Sequence, residues 1–388
     1  MFQLIKNANV FSPDPMGMCH ILVADETIAY IGAELPELDM RLEVDVCDVE
    51  GAIVMPGIID AHAHITGGGG ETGPGSRVPP VFISAFTTAG VTSVVGVLGT
   101  DDLTRNTQTL VSQAYGLREQ GISAWCHTGG YHIPLTTLTG SVRSDIVFID
   151  PVIGVGELAI SDHRSSQPTL DEFLRIASEA HVAGLMTGKA GIVHIHMGDG
   201  NRGMSMVHDA LDTSEIPPRV FNPTHINRNK ELFEEALKLS DRGCWVDLTA
   251  FPEGHSDPGW SAAEAFLRYC KAGHSPKHLT ISSDGGGCLP QFNNQGELTR
   301  MGVGRSSTLA ETLKHLIDHG VPLEEILPTL TSNVADLLKL SAKGRLGKGK
   351  DADLVVLDDQ HHIYNVMACG RWHVRNAEAE VFGTYEKG

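Results

Sequence analysis

Residues 60–71 read DAHAHITGGGGE. His62 and His64 are two apart in a stretch that reads as a strand, so period-two alternation puts both imidazoles on one face. Two neutral imidazoles side by side make a poor apolar core and a good half-site for a divalent metal such as Zn²⁺. An HxH pair alone is weak evidence, but the same kind of position recurs. His196 ends GIVHIH, His225 ends VFNPTHIN and Asp284 ends HLTISSDGG, each just before a glycine-rich or polar loop. Four histidines and one aspartate at the same end of successive strands form a ligand set. After the first pair, Gly67 to Gly70 remove every Cβ that could obstruct a substrate and offer free N–H donors. Glu71 then presents a carboxylate to the same cleft; the competing reading is a solvated loop with an ordinary surface glutamate. His194 shares a face with His196 by alternation and reads as a barrel-interior or structural histidine, as do His127, His132, His163 and His181.

These residues need a frame. LIKNANVF, HILVADETIAYIG and RLEVDVCDVEG carry β-branched residues between turn residues and read as short strands. From residue 53 strand-length apolar runs alternate with helical stretches, as in VIGVGELAI followed by TLDEFLRIASEAHVAGLMTG. There Phe173, Leu174, Ala177, Ala180, His181 and Gly184 fall on roughly one helical face. Such alternation implies parallel strands with right-handed crossovers. About eight strands over roughly 280 residues match a (β/α)₈ barrel, whose active site lies where the strands end. A doubly wound open sheet competes, but no GxGxxG opens a first βα unit. The tail returns to strand texture around LVVLD, Arg371–Arg375 and AEAEVFG. The expected fold is therefore α/β: a (β/α)₈ TIM-type barrel over 53–343, with a small β-sandwich domain built from both termini, 1–52 and 344–388.

The 388 residues carry a net charge of −19, which opposes binding to nucleic acid or to an anionic membrane surface. No apolar run reaches the roughly 18–20 residues of a membrane span, and MFQLIKNANVF, with no long apolar run after a basic start, predicts no signal peptide. Cys19, Cys47, Cys126, Cys244, Cys270, Cys288 and Cys369 are odd in number, scattered and without a CxxC pair, which predicts reduced thiols in a cytoplasmic protein.

PGIIDAHAHI, the strand-end histidines, the SSDG aspartate and the closing GRLGKGKDADLVVLD resemble the amidohydrolase superfamily. Within it, GGGGETGPGSR, GTDD, TGGYHIP, ISDHRSSQP, HMGDG, NPTHINRN and SSDGGG resemble isoaspartyl (β-aspartyl) dipeptidases, in order and along nearly the whole chain. The resemblance implies that His62, His64 and Asp284 hold a more buried metal, and His196 and His225 a second. The family bridges its two metals with a carbamylated lysine; here that position is Glu157. Glutamate supplies a carboxylate directly with a shorter reach, so it can bridge if the strand or the metals shift. The alternatives are a single metal or a weakly held second one.

The resemblance further implies that Glu71 binds the substrate α-ammonium and helps manage protons, and that Arg164 and Arg228 bind its carboxylates. Arginine forks suit carboxylates bidentately, and a β-aspartyl dipeptide has two carboxylates and one ammonium. Tyr131 would polarise the scissile carbonyl and stabilise the oxyanion, and Gly69 and Thr100 would add contacts. Cys288 stands where the family commonly has a substrate-contacting serine, and a thiol donates weakly. The implied reaction is hydrolysis of the β-aspartyl isopeptide bond by a hydroxide held between two divalent metals, with Asp284 as general base and then acid. Another amidohydrolase, such as a cyclic amidase or N-acyl amino acid deacylase, would leave GGGGET and NRN unexplained. A non-catalytic scaffold that had lost its metals would not keep all five ligands. The family also implies a large homo-oligomer, an octamer.

Overall fold

The computed structural model describes residues 1–39, 41–252, 259–292 and 298–387. The chain opens with strands β1 (Phe2–Phe11), β2 (Pro15–Ala24), β3 (Thr27–Gly32), β4 (Val44–Asp48) and β5 (Ile53–Pro56). β1 pairs antiparallel with β2 and parallel with β4 and β5. Ile5, Val10, Ile21 and Val23 bury one face of this sheet.

At Gly57 the chain changes sheet. The run AIVMPGIIDAHAH is interrupted there, and β6 (Ile58–Ala63) starts a second, parallel sheet. A Cβ at position 57 would lie 2.1 Å from Thr92 Oγ1, so glycine alone permits the approach of the next strand. β7 (Val91–Gly96), β8 (Ser123–Thr128), β9 (Val152–Ile160), β10 (Val193–Met197) and β11 (Phe221–Thr224) follow β6 in chain order across six strands. β12 (Val246–Thr249) and β13 (Leu279–Ser282) form a parallel pair. Backbone bonds link this pair to both edges of the six. Ile226 N donates to Asp247 O at 3.3 Å, Asp284 N to His62 O at 3.1 Å, and His64 N to Gly285 O at 2.8 Å. Every residue of β6, β7 and β9 to β13 is buried, as expected for parallel strands covered on both faces. The curled parallel sheet is that of the TIM-barrel type.

The crossovers are helical, with local reasons for their limits. The helix Thr107–Gln120 starts at Asn106, whose side chain accepts from Thr109 N, and stops at Gly121 with φ 108°. The helix Leu170–Thr187 has a capping box of Thr169 and Glu172. It buries Phe173, Ala177, Ala180, Ala183 and Gly184, while Leu174 and His181 sit half-buried at the edge of the expected face.

Several elements have no counterpart in the sequence reading. They are the helix Val142–Phe148, the antiparallel hairpin of β14 (Cys288–Phe292) and β15 (Leu298–Val303), and the adjoining helices Leu323–Leu330 and Ser332–Leu338. The chain ends with β16 (Leu354–Leu357), β17 (Ile363–Ala368), β18 (Arg371–Arg375) and β19 (Glu378–Ala379). β16 lies antiparallel to β5, with Val356 opposite Val54, so strands from both ends share one nine-stranded sheet.

Candidate metal centre and active-site cleft

His62 is the penultimate residue of β6 and His64 lies just past its end. His225 and Asp284 follow β11 and β13 and turn into the left-handed region, with φ of 61° and 52°. That conformation costs roughly 1–3 kcal/mol for a residue with a side chain, and here it falls on two ligand candidates. Glu157 projects from the middle of β9. His62 Nε2 lies 3.6 Å from Glu157 Oε1 and 3.5 Å from Asp284 Oδ1. His64 Nε2 lies 3.4 Å and 3.1 Å from the same two oxygens. Glu157 Oε2 is 2.9 Å from His196 Nδ1 and 3.2 Å from His225 Nε2.

These residues fit a divalent metal. His62 Nε2, Glu157 Oε1 and Asp284 Oδ1 are buried and have no hydrogen-bond partner among the described residues, an arrangement that is costly unless a cation takes up the lone pairs. Bonds of ~2.1 Å in a tetrahedral site place ligand atoms roughly 3.4 Å apart, close to the separations found. Two sets can each hold an ion: His62, His64 and Asp284, and His62, Glu157 and His225. His196 belongs to neither set but touches Glu157.

The electrostatics agree. Burial opposes the charged form of His62, yet the charges of Glu157, Asp284 and Asp247 push it up to about 9. The carboxylates around His62 favour positive charge at this position. Burial pushes Glu157 up, but His62 and His196 outweigh it and hold the carboxyl well below the usual range. For Asp284 burial is likewise outweighed, by the close approach of the His62 and His64 rings and their charge, which hold its carboxyl well below the usual range.

The cleft rim is charged. Arg164 donates through Nη1 to Glu71 Oε1 at 3.0 Å, and through Nε and Nη2 to Asp162 at 3.0 and 2.8 Å. Thr100 Oγ1 donates to the same Glu71 oxygen at 2.8 Å. Arg228 Nη1 reaches Met197 O at 2.9 Å and lies 3.2 Å from His196 Nε2. The Tyr131 hydroxyl is 2.7 Å from His196 Nδ1. Burial, and next the charge of Glu157, push its pKa well above the phenol value, so Tyr131 keeps its O–H as a donor. Cys288 opens β14, and burial with the charges of Glu71 and Asp284 pushes its thiol up to about 12. Gly69 sits at φ 74° in a bridge to Arg77, and a Cβ there would meet Ser76 O at 2.5 Å.

The sequence reading needs one correction at the glycine run. Gly67 N donates to His64 O at 2.7 Å and Gly68 N to Gly286 O at 2.8 Å. These two donors are spent on folding the loop back against the ligand strands, so they are not free for a substrate. A Cβ at Gly67 would meet Val78 O at 1.9 Å; close backbone packing is what requires glycine there.

Three residues have more to do than sequence reasoning gave them. Asp162 is buried and joins Arg164 to His196, its Oδ2 lying 3.0 Å from His196 Nε2; the D-x-R spacing in ISDHR was the available signal. His132 binds the Asp102 carboxylate through Nδ1 at 3.0 Å and the Arg164 carbonyl through Nε2 at 2.9 Å, tying together the loops that carry GTDD, Tyr131 and Arg164. His194 Nε2 is 2.8 Å from His62 Nδ1. Burial, then the charge of His62, holds His194 down to about 3, so it is a neutral ring.

Residues 53–384 match the Amidohydrolase family. The chain is 40% identical to a beta-aspartyl dipeptidase from the thermophilic keratin-degrading Fervidobacterium islandicum AW-1, solved in complex with the beta-Asp-Leu dipeptide; 98% of each chain is covered, with a TM-score of 0.92. It is 24% identical over 371 residues to a deacetylase of Brucella anthropi, covering 86% of this chain and 77% of that protein. A dihydropyrimidinase from Brevibacillus agri NCHU1002 shares the fold, with 16% identity, a TM-score of 0.69 and coverage of 99% of this chain and 97% of that one.

Proposed function

The chain belongs to the amidohydrolase family, and from that membership we propose that it is a metal-dependent dipeptidase that cleaves the β-aspartyl bond of isoaspartyl dipeptides. The observation that carries the reading is the charge pattern at the rim beside the ligand cluster: the carboxylate of Glu71 and the guanidinium groups of Arg164 and Arg228, with buried Asp162 holding Arg164 in place. An isoaspartyl dipeptide carries one ammonium and two carboxylates, so it is complementary. An α-linked dipeptide puts the same charges in other places.

A divalent metal bound by these residues supplies Lewis acidity and a water acidic enough to ionise near neutrality. Two divalent ions, Zn²⁺ by the donor set, would be held by His62, His64, Asp284, His196 and His225, with Glu157 as the residue that would bridge them. Support for the bridge comes from its two oxygens: Oε1 faces His62 and His64, and Oε2 faces His196 and His225. The chain's own residues do the rest. Glu71 takes the substrate ammonium, and the guanidinium charges of Arg164 and Arg228 take its carboxylates. Tyr131 donates its O–H to the carbonyl oxygen as charge develops there. Asp284, buried at the edge of the cluster, accepts the water's proton and passes it to the leaving amine. Gly69, Thr100 and Cys288 complete the substrate wall.

We read β6 to β13 as the eight strands of a (β/α)₈ barrel over 53–343, and 1–52 with 344–388 as a small β-sandwich domain; β5 pairs within the terminal sheet. Among the described residues no helix is long and apolar enough to cross a membrane. Seven free thiols support a cytoplasmic setting, and the octamer rests on the family resemblance.

The test is hydrolysis of β-Asp-Leu beside α-Asp-Leu on zinc-loaded protein with its metal content counted. Cleavage of the β-linked peptide alone, with about two metals per chain, is expected. Two metals without cleavage, together with turnover of hydantoins or N-acyl amino acids, would assign the chain to another amidohydrolase activity. One metal or none, without cleavage, would mean that glutamate at position 157 does not support the site.

A further inference from the structure

An imidazole can bind a metal only through the nitrogen that has no proton, so something must choose which nitrogen that is. For His62 the structure contains a chain of buried groups that makes this choice. Asn222 Nδ2 donates to Trp245 O at 3.3 Å, which turns its Oδ1 toward His194 Nδ1 at 2.7 Å. Since Oδ1 can only accept, His194 carries its proton on Nδ1 and leaves Nε2 as an acceptor. That Nε2 lies 2.8 Å from His62 Nδ1, which must therefore be the protonated nitrogen of His62. The lone pair of His62 is left on Nε2, the atom that faces Glu157 and Asp284.

The relay is held in place on its other sides. His127 is buried and stacks on His194, with ring centroids 5.5 Å apart. Gly156 lets β9 press against it: a Cβ at that residue, at φ 147°, would lie 2.5 Å from His194 O.

We infer that His194, oriented by Asn222, is a positioning residue that fixes the tautomer of His62 and thereby tightens metal binding. The inference rests on the metal-dependent reading above. It concerns neither a ligand nor a group that touches substrate.

The test is zinc affinity measured by chelator competition, with thermal unfolding as a check on folding. His194→Leu removes the acceptor and should weaken zinc by roughly 10–100-fold, the usual effect of losing a ligand's outer partner. His194→Gln supplies an amide oxygen to accept from His62 and an amide N–H to donate to Asn222, and should bind zinc nearly as wild type does. Asn222→Leu, which frees His194 to take either tautomer, should fall between them. If His194→Leu does not fold, ¹⁵N-histidine spectra of the zinc-loaded wild type decide the matter: His194 should be protonated at Nδ1 and His62 at Nδ1. Wild-type affinity in His194→Leu, an equal loss in His194→Gln, or a proton on His194 Nε2 would overturn the inference while leaving the metalloenzyme reading intact. A wild-type chain that bound no zinc would overturn both.

Discussion

The two sides of the candidate metal centre are held by different means. On the β6–β13 side the main chain does the work: Asp284 N bonds to His62 O, His64 N to Gly285 O, and Asp60 accepts from Ser283 N and His62 N. On the β10–β11 side, side chains from other loops converge on one ring. His196 Nδ1 meets Tyr131 and Glu157, and its Nε2 meets Asp162, Arg164 and Arg228. A ligand fixed by backbone has one place to be. A ligand fixed by side chains has competitors for its lone pair, and a metal on that side must displace some of them. The first side should therefore bind its metal more tightly, and the second should couple metal occupancy to the substrate-binding rim.

The comparison breaks most directly at Asp284. Asp284→Asn keeps the shape but removes a charged ligand and the proton acceptor; kcat for β-Asp-Leu should drop by at least roughly 10²–10⁴-fold, with zinc lost by mass spectrometry or colorimetric titration. Retention of both zinc and turnover would show that this side does not organise the chemistry.

Glu157 spans the two sides, and Glu157→Gln should lower the zinc content from two to one, the remaining ion resisting chelator. A glutamate bridge would need no CO₂, so reactivation of metal-free wild type should be the same with and without bicarbonate. A bicarbonate requirement would remove Glu157 from the bridge.

A smaller effect is expected at the rim. Arg164→Lys keeps the charge but loses the fork that grips Asp162 and Glu71, and charge-assisted hydrogen bonds are worth about 1.5–3 kcal/mol. Steady-state kinetics should show kcat/KM reduced by roughly 10–100-fold, mostly through KM. Should His196 couple the rim to its metal, zinc affinity will fall with it; an unchanged affinity would confine the coupling to substrate.

Cys288→Ser should matter least. It replaces a weak donor with a stronger one on the cleft wall, so kcat/KM should stay equal or rise by less than about tenfold, the scale of one neutral hydrogen bond. A large loss would mean that the thiol itself is needed.

Much of this was legible in the sequence because parallel strands impose simple rules. Alternation placed His62 with His64 and His194 with His196, and strand ends placed His225 and Asp284 at one mouth. The crossover helix Leu170–Thr187 was equally readable, since its apolar positions recur at helical spacing and its cap residues stand at its start. What was not legible depends on register between strands far apart in the chain. His62 and His194 meet across 132 residues, and His196 and Asp162 across 34; no local pattern encodes either. The helix Val142–Phe148 has seven residues, too few for a period to emerge. Gly67 and Gly68 misled for a similar reason: composition reveals a flexible loop but not which carbonyls its N–H groups will meet.

The sheet change at Gly57 has a consequence for biosynthesis. β5 is one residue from the strand that carries His62, and its partner β16 is translated some three hundred residues later. The ribosome thus delivers the first candidate ligands some three hundred residues before the strand that pairs with β5. A chain stopped short of β16 would carry every candidate ligand of the centre without the strand that pairs with β5.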